Sequence, residues 1–109
     1  MGSSSIELPP CNEEGFLNSI EDWSESVCEV LARAEGIELT EAHWEVIQLL
    51  RKYYTQFDSS PAMRALVKYV SLHLGQEKGR SIYLLKLFPE SPARVASKLA
   101  GLPKPANCL

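Results

Sequence analysis

The chain has 109 residues, 45% hydrophobic and 23% charged, the proportions of one ordinary globular domain. No apolar run approaches the roughly 20 residues that span a bilayer, and no basic-then-apolar leader opens the chain, so a cytoplasmic protein is expected. The net charge of −3 conceals a division: residues 1–61 hold twelve acids and three bases, net −9, and residues 62–109 hold eight bases and two acids, net +6, which predicts an electropositive face on the C-terminal half.

Ile6-Glu7-Leu8 and Phe16-Leu17, separated by Pro9, Pro10, Asn12 and Gly15, predict two short strands around a turn. Asp22, with Glu25 three residues on, predicts the start of a helix whose apolar stripe is Val27, Val30, Leu31 and Ala34 and whose stop is Gly36. Thr40 predicts the cap of a second helix over residues 41–56, with Trp44, Ile47, Leu50, Tyr54 and Phe57 along one side. His43 reads there as a structural or surface residue, and the tyrosine pair as packing. Ser60-Pro61 predicts a third helix with Ser at the N-cap and Pro in the first turn, carrying Met63, Leu66, Val67, Val70 and Leu74 up to Gly75. After the basic turn Lys78-Gly79-Arg80, Ser81 predicts the cap of a fourth helix over 82–88, stopped by Pro89. Ser91-Pro92-Ala93 starts a fifth, closed by Gly101. The expected fold class is α+β, mostly helical: about five packed helices, a short N-terminal β hairpin or meander, and a flexible C-terminal arm. The expected division is one domain over 1–101 and a mobile arm over 102–109.

Three cysteines, Cys11, Cys28 and Cys108, are an odd number with no CxxC spacing, which argues against a disulfide scaffold. The two histidines lie thirty residues apart, and no Gly-rich phosphate loop or nucleophile turn is present, so no metal or cofactor is expected. Cys28 flanks an apolar stripe and reads as a small buried hydrophobe. Cys108 is different. It stands one residue from the C-terminus after Gly101-Leu102-Pro103-Lys104-Pro105-Ala106-Asn107, a Pro-punctuated run. In a polyproline II conformation that run reaches roughly 20 Å, at about 3.1 Å per residue. Taken alone, a terminal cysteine is equally consistent with a working thiol and with the accident of a frayed tail.

The Leu109 carboxylate disfavours a second negative charge at Cys108, and Lys104 favours it. No base or oxyanion donor set is implied nearby, so such a thiol suits a carrier that a partner's site activates, not a self-contained nucleophile.

Several segments together resemble the TusE/DsrC family: His43-Trp44-Glu45-Val46-Ile47, Arg51-Lys52-Tyr53-Tyr54, Ser60-Pro61-Ala62, Leu66-Val67-Lys68, Gly79-Arg80-Ser81-x-Tyr83-Leu84, Leu87-Phe88-Pro89 and above all Gly101-Leu102-Pro103-Lys104-Pro105-x-x-Cys108. The resemblance runs from Gly15 to the end. It implies a helical body on a short β meander and a persulfide carried by the penultimate cysteine, here Cys108. It also implies a TusBCD-like sulfur donor and an MnmA-like acceptor that 2-thiolates the wobble uridine of certain tRNAs. Gly101 is then expected as the arm's hinge, Pro103, Lys104 and Pro105 as arm and docking residues, and Lys78 and Arg80 as electrostatic docking points. DsrC members carry a second cysteine eleven positions before the first, where this chain has Ser97, so the resemblance is to the single-cysteine TusE branch. Two alternatives stay open: a paralogue serving another sulfur pathway or a sulfite reductase complex, and a helix–turn–helix over 61–88 with Arg64, Lys68, Lys78, Arg80 and Lys86 toward phosphates.

Overall fold

The last helix is the axis of the molecule. In the computed structural model, which describes residues 7–106, the helices are α1 (Glu25–Ala34), α2 (Glu41–Phe57), α3 (Met63–Leu74), α4 (Ser81–Leu87) and α5 (Pro92–Leu99), preceded by a 3-10 turn at Ile20–Asp22. All of α5 except Arg94 is buried, and α1, α2, α3 and α4 each pack against it. Ala93, Ala96 and Ala100 make this close approach possible, since a methyl side chain lets neighbouring helices come near on several sides. Phe16, Ile47, Leu50, Leu66, Val70, Leu84 and Phe88 fill the space around α5.

The five predicted helices are all present, but three of the predicted caps are not. Ser24, not Asp22, caps α1: its hydroxyl accepts from Val27 N at 3.2 Å, while Asp22 ends the preceding 3-10 turn. Helix α3 starts at Met63 behind Ala62, because the Ser60 hydroxyl bonds elsewhere and Pro61 is buried before the helix begins. Arg80 occupies the N-cap of α4 and Ser81 its first turn. Thr40 does begin α2, and His43 closes the reciprocal contact by accepting from Thr40 N through Nδ1 at 3.0 Å. The other ring nitrogen lies 2.9 Å from Leu87 O, so His43 donates from Nε2 and ties the start of α2 to the end of α4.

The expected N-terminal hairpin reduces, among the described residues, to a single antiparallel bridge between Cys11 and Leu17. Ile6, part of the first predicted strand, lies outside them. Pro9 and Pro10 offer no N–H to a ladder, and the 3-10 turn takes over at Ile20. Between Cys11 and Leu17, Asn12 organises a tight loop: its Oδ1 accepts from Glu14 N and Phe16 N at 2.9 and 3.0 Å. Gly15 turns this loop at φ +91°, with Lys98 lying against it.

Candidate functional site at the root of the C-terminal arm

Helix α5 ends in a left-handed closure. Gly101 adopts φ +75°, Gly101 N donates to Lys98 O at 3.1 Å, and Leu102 N donates to Ser97 O at 2.9 Å, with Leu102 buried against the body. This is a Schellman motif, and it satisfies two of the carbonyls that a helix end leaves without partners. The next two carbonyls go to side chains from the segment before α1 and from α2. Trp23 Nε1 donates to Leu99 O at 2.8 Å, and Arg51 donates to Ala100 O at 2.7 Å. The Arg51 guanidinium also lies 4.2 Å from the centre of the Trp23 ring. Burial lowers the Arg51 pKa from its ordinary value, but the cation sits at the negative end of α5, where a positive charge is favoured.

From Leu102 to Pro105 the chain stays on the body. Pro103 O accepts the Ser60 hydroxyl at 2.5 Å, and Lys104 Nζ meets Glu14 at 3.0 Å in a surface ion pair. Pro105 is fully buried. Proline at 103 and 105 narrows the conformations from which this segment has to be ordered, and neither position has an N–H to satisfy. The structure therefore brings Gly101, Pro103, Lys104 and Pro105 together as one anchored segment. Gly101, expected as a hinge, is in this conformation the pinned end of α5: a Cβ there would stand 2.5 Å from Trp23 Cδ1. Cys108 lies outside the described residues, three positions beyond Pro105.

Lys78 and Arg80 belong to another region. Lys78 pairs with Glu45 at 2.8 Å, which raises the pKa of its ammonium, chiefly through that hydrogen bond. Glu45 is twelve residues before Phe57 on α2, about 18 Å at 1.5 Å per residue, and Ser60 lies beyond the far end. The basic turn thus meets the N-terminal half of α2, whereas the arm root runs from Arg51 at its middle to Ser60 beyond its C-terminal end.

The other two thiols are held in the body. Cys28 is completely buried, and burial, with the Glu29 and Glu25 carboxylates adding to it, pushes its pKa up to about 12. It stays a thiol at neutral pH. Cys11 is half-buried and its Sγ donates to Pro9 O at 3.3 Å. Ser97, where the second family cysteine is expected, is fully buried on α5, and its Oγ finds no partner among the described residues. Among those residues no three His, Cys, Asp or Glu side chains converge as a metal cage would require. An open groove of about 470 Å³ runs along Glu29, Arg33, Ile37 and Glu38, but it contains no thiol.

Trp23, Arg51 and Ser60 are the residues that sequence reasoning missed. Arg51 gave one signal: it follows Ile47 by four positions and Leu50 by one, so it falls on the buried side of α2, where an unpaired charge is costly. Ser60 gave none, because its partner is forty-three residues away.

A family profile described as "DsrC like protein" matches residues 5–109, a span that includes Cys108. The chain belongs to the DsrC-like family. Among its relatives, the Sulfurtransferase TusE of Sodalis glossinidius is 53% identical over 96 residues, covering 88% of this chain and 89% of the relative. The Sulfurtransferase TusE homolog of Haemophilus influenzae is 51% identical over 98 residues, covering 90% of each. Among solved structures, the DsrC of Allochromatium vinosum superposes with a TM-score of 0.82 at 48% identity, covering 90% of this chain and 88% of that one. The oxidized gamma-subunit of the dissimilatory sulfite reductase (DsrC) from Archaeoglobus fulgidus gives 0.77 at 40% identity, covering 93% and 92%. DsrC-like members therefore share this helical body.

Proposed function

We propose that this chain is a sulfurtransferase of the carrier kind, holding a sulfane sulfur on Cys108 between a donor and an acceptor. The observation that supports it most is the family match running through the C-terminal cysteine, together with an α5 terminus built to anchor the segment that leads to it. The Cys108 thiolate attacks the outer sulfur of a donor persulfide. The donor's S–S bond breaks, the donor leaves as thiolate, and Cys108 becomes the persulfide. An acceptor thiolate then attacks that outer sulfur, and Cys108 leaves as thiolate. One sulfur atom moves in each step, and no net oxidant or reductant is consumed.

The resemblance to TusE proteins supports a TusBCD-like complex as donor and an MnmA-like tRNA thiolase as acceptor, working in the cytoplasm on 2-thiouridine formation at the wobble position. With Ser97 in place of a second cysteine, the cycle involves a single thiol on this chain. The arm, residues 102–109, divides into a root that rests on the body through Pro105 and a tip that presents the sulfur.

Incubation with a cysteine desulfurase and cysteine, or with inorganic polysulfide, is expected to raise the intact mass by one sulfur atom. Cys108→Ser should abolish the gain while leaving the fold unchanged, and Cys11→Ser and Cys28→Ala should load normally. Sulfur gained by the Cys108→Ser protein would refute the reading.

A further inference from the structure

We propose that the acceptor protein that takes sulfur from Cys108 seats on the body at the C-terminal end of α2 and receives the Phe57 ring in an apolar recess beside its own reacting thiol. This rests on the carrier reading above and adds the surface through which it works.

The tether is short. Pro105 is buried, and the root is held at Ser60 and Glu14. Three residues lead from Pro105 to Cys108, a span of at most about 11 Å when fully extended. The outer persulfide sulfur adds one bond of about 2 Å. With roughly 3 Å from the Cys108 Cα to its Sγ and roughly 4 Å of contact distance added, an acceptor thiol must come within about 20 Å of Pro105, which keeps the partner's surface against the body around the arm root. The tip, residues 106–109, also supplies only four of the roughly 20–30 residues a side that a stable interface uses. The body has to furnish the rest.

Phe57 is placed to do so. It precedes Ser60 by three residues, so its Cα lies within about 11 Å of the residue that grips Pro103. The side chain is 50% exposed although it is large and apolar. It is also held in place: its ring lies 4.5 Å from Tyr53 and 6.2 Å, edge-on, from Tyr69, whose hydroxyl donates to Gln56 Oε1 at 3.0 Å. A rigid, half-exposed aromatic ring loses little side-chain entropy on docking, which is the character of an interface hot spot. Charges nearby along the chain have both signs, Lys52, Asp58 and Arg64, so apolar shape carries the recognition and not a single-sign field.

A second exposed apolar set, Leu72, Ile82 and Leu85, lies on α3 and α4. Its corner is tied through Lys78 to Glu45, on the N-terminal half of α2, twelve residues before Phe57. It serves as the control.

The test starts from protein loaded with inorganic polysulfide, so that loading needs no protein donor. Phe57→Ala and a Leu72→Ser/Ile82→Ser double variant are loaded alongside wild type, and transfer to the tRNA-thiolating partner is followed against carrier concentration. Phe57→Ala should load fully, keep kcat within about twofold, and raise KM at least about tenfold, the loss of about 1.4 kcal/mol of docking free energy. The double variant should transfer like wild type. If Phe57→Ala weakens the end of α2, Phe57→Gln, a better helix former, takes its place. Wild-type KM in the folded Phe57 variants, or the rise appearing in the double variant instead, overturns the docking proposal and leaves the carrier reading standing. Failure of wild type to load from polysulfide overturns the carrier reading first.

Discussion

Replacing Gly101 by alanine strikes the point where α5, Trp23 and the arm root meet, and the cost can be assembled from the structure. At φ +75° an L-residue loses roughly 1–2 kcal/mol through the clash of its Cβ with the following carbonyl. The same Cβ would stand 2.5 Å from Trp23 Cδ1 and 2.8 Å from Trp23 Cβ and Cγ. These atoms lie near the backbone, so no rotation of a flexible tip relieves the contact. Displacing the indole leaves Leu99 O without its donor, about 1–3 kcal/mol for a buried group, and disturbs the Arg51 stack, about 0.5–1 kcal/mol. The smaller conformational freedom of an unfolded alanine returns about 0.4–1 kcal/mol. The expected net loss is about 3 kcal/mol, roughly a 15 °C drop in Tm for a domain of this size. Urea unfolding followed by circular dichroism gives the stability, and emission of Trp23 in a Trp44→Phe background reports the indole directly. In a Trp23→Gly background, which removes Cβ, Cγ and Cδ1 together, the glycine substitution at Gly101 should cost only the backbone part, about 1–2 kcal/mol. A loss under about 1 kcal/mol with unchanged Trp23 emission would refute the bracing of the arm root.

Two further substitutions test buried groups. Cys28 has an ordinary pKa of 9.0 and is pushed up to about 12 in the folded protein. Its stabilising effect is complete below pH 9 and falls between pH 9 and 12, where the unfolded chain releases the proton and the folded chain keeps it. The decline is up to about 1.4 kcal/mol per pH unit, and Cys28→Ala should flatten it; equal alkaline slopes in urea titrations of the two proteins would contradict this. Ser97→Ala removes a buried hydroxyl that has no partner among the described residues and should leave stability unchanged or raise it by about 1 kcal/mol, whereas a clear loss in urea unfolding would mean that the hydroxyl is bonded.

The helices were legible because each carries its own stripe and its own punctuation. Gly36, Gly75 and Gly101 stand at positive φ just past α1, α3 and α5, where stops were expected. The error at Ser60 has a physical origin: a serine hydroxyl near a helix start can serve more than one acceptor or donor, and tertiary geometry decides among them. Ser60 matched a cap pattern, but α5 delivers Pro103 O to its hydroxyl. The predicted strands failed for a related reason. A hairpin of two or three residues a side has too few pairs to persist against two prolines and a well-bonded Asn12 loop. The arm motif was legible as sequence, but its anchoring was not, because Trp23, Arg51, Ser60 and Glu14 come from four separate segments.

The placement of the three cysteines gives the carrier reading its selectivity. A chain that exchanges sulfur through a thiolate has to keep its other thiols out of the exchange, or sulfur and disulfides scatter among them. Burial achieves this at Cys28, which is inaccessible and held in the unreactive protonated form. Cys11 is partly covered, and its Sγ is engaged as a donor to Pro9 O. Ser97, in the middle of the most buried helix, puts no sulfur where the family's second cysteine would stand. What distinguishes Cys108 is therefore position: it follows a root that Trp23, α2 and the Asn12 loop hold at a fixed place on the body. A thiol presented from a fixed root at short reach has a high effective concentration for a partner docked there and a low one for any partner that is not. Specificity in such a relay comes from the docking surface and the tether length together, with no need for an activating base on the carrier itself.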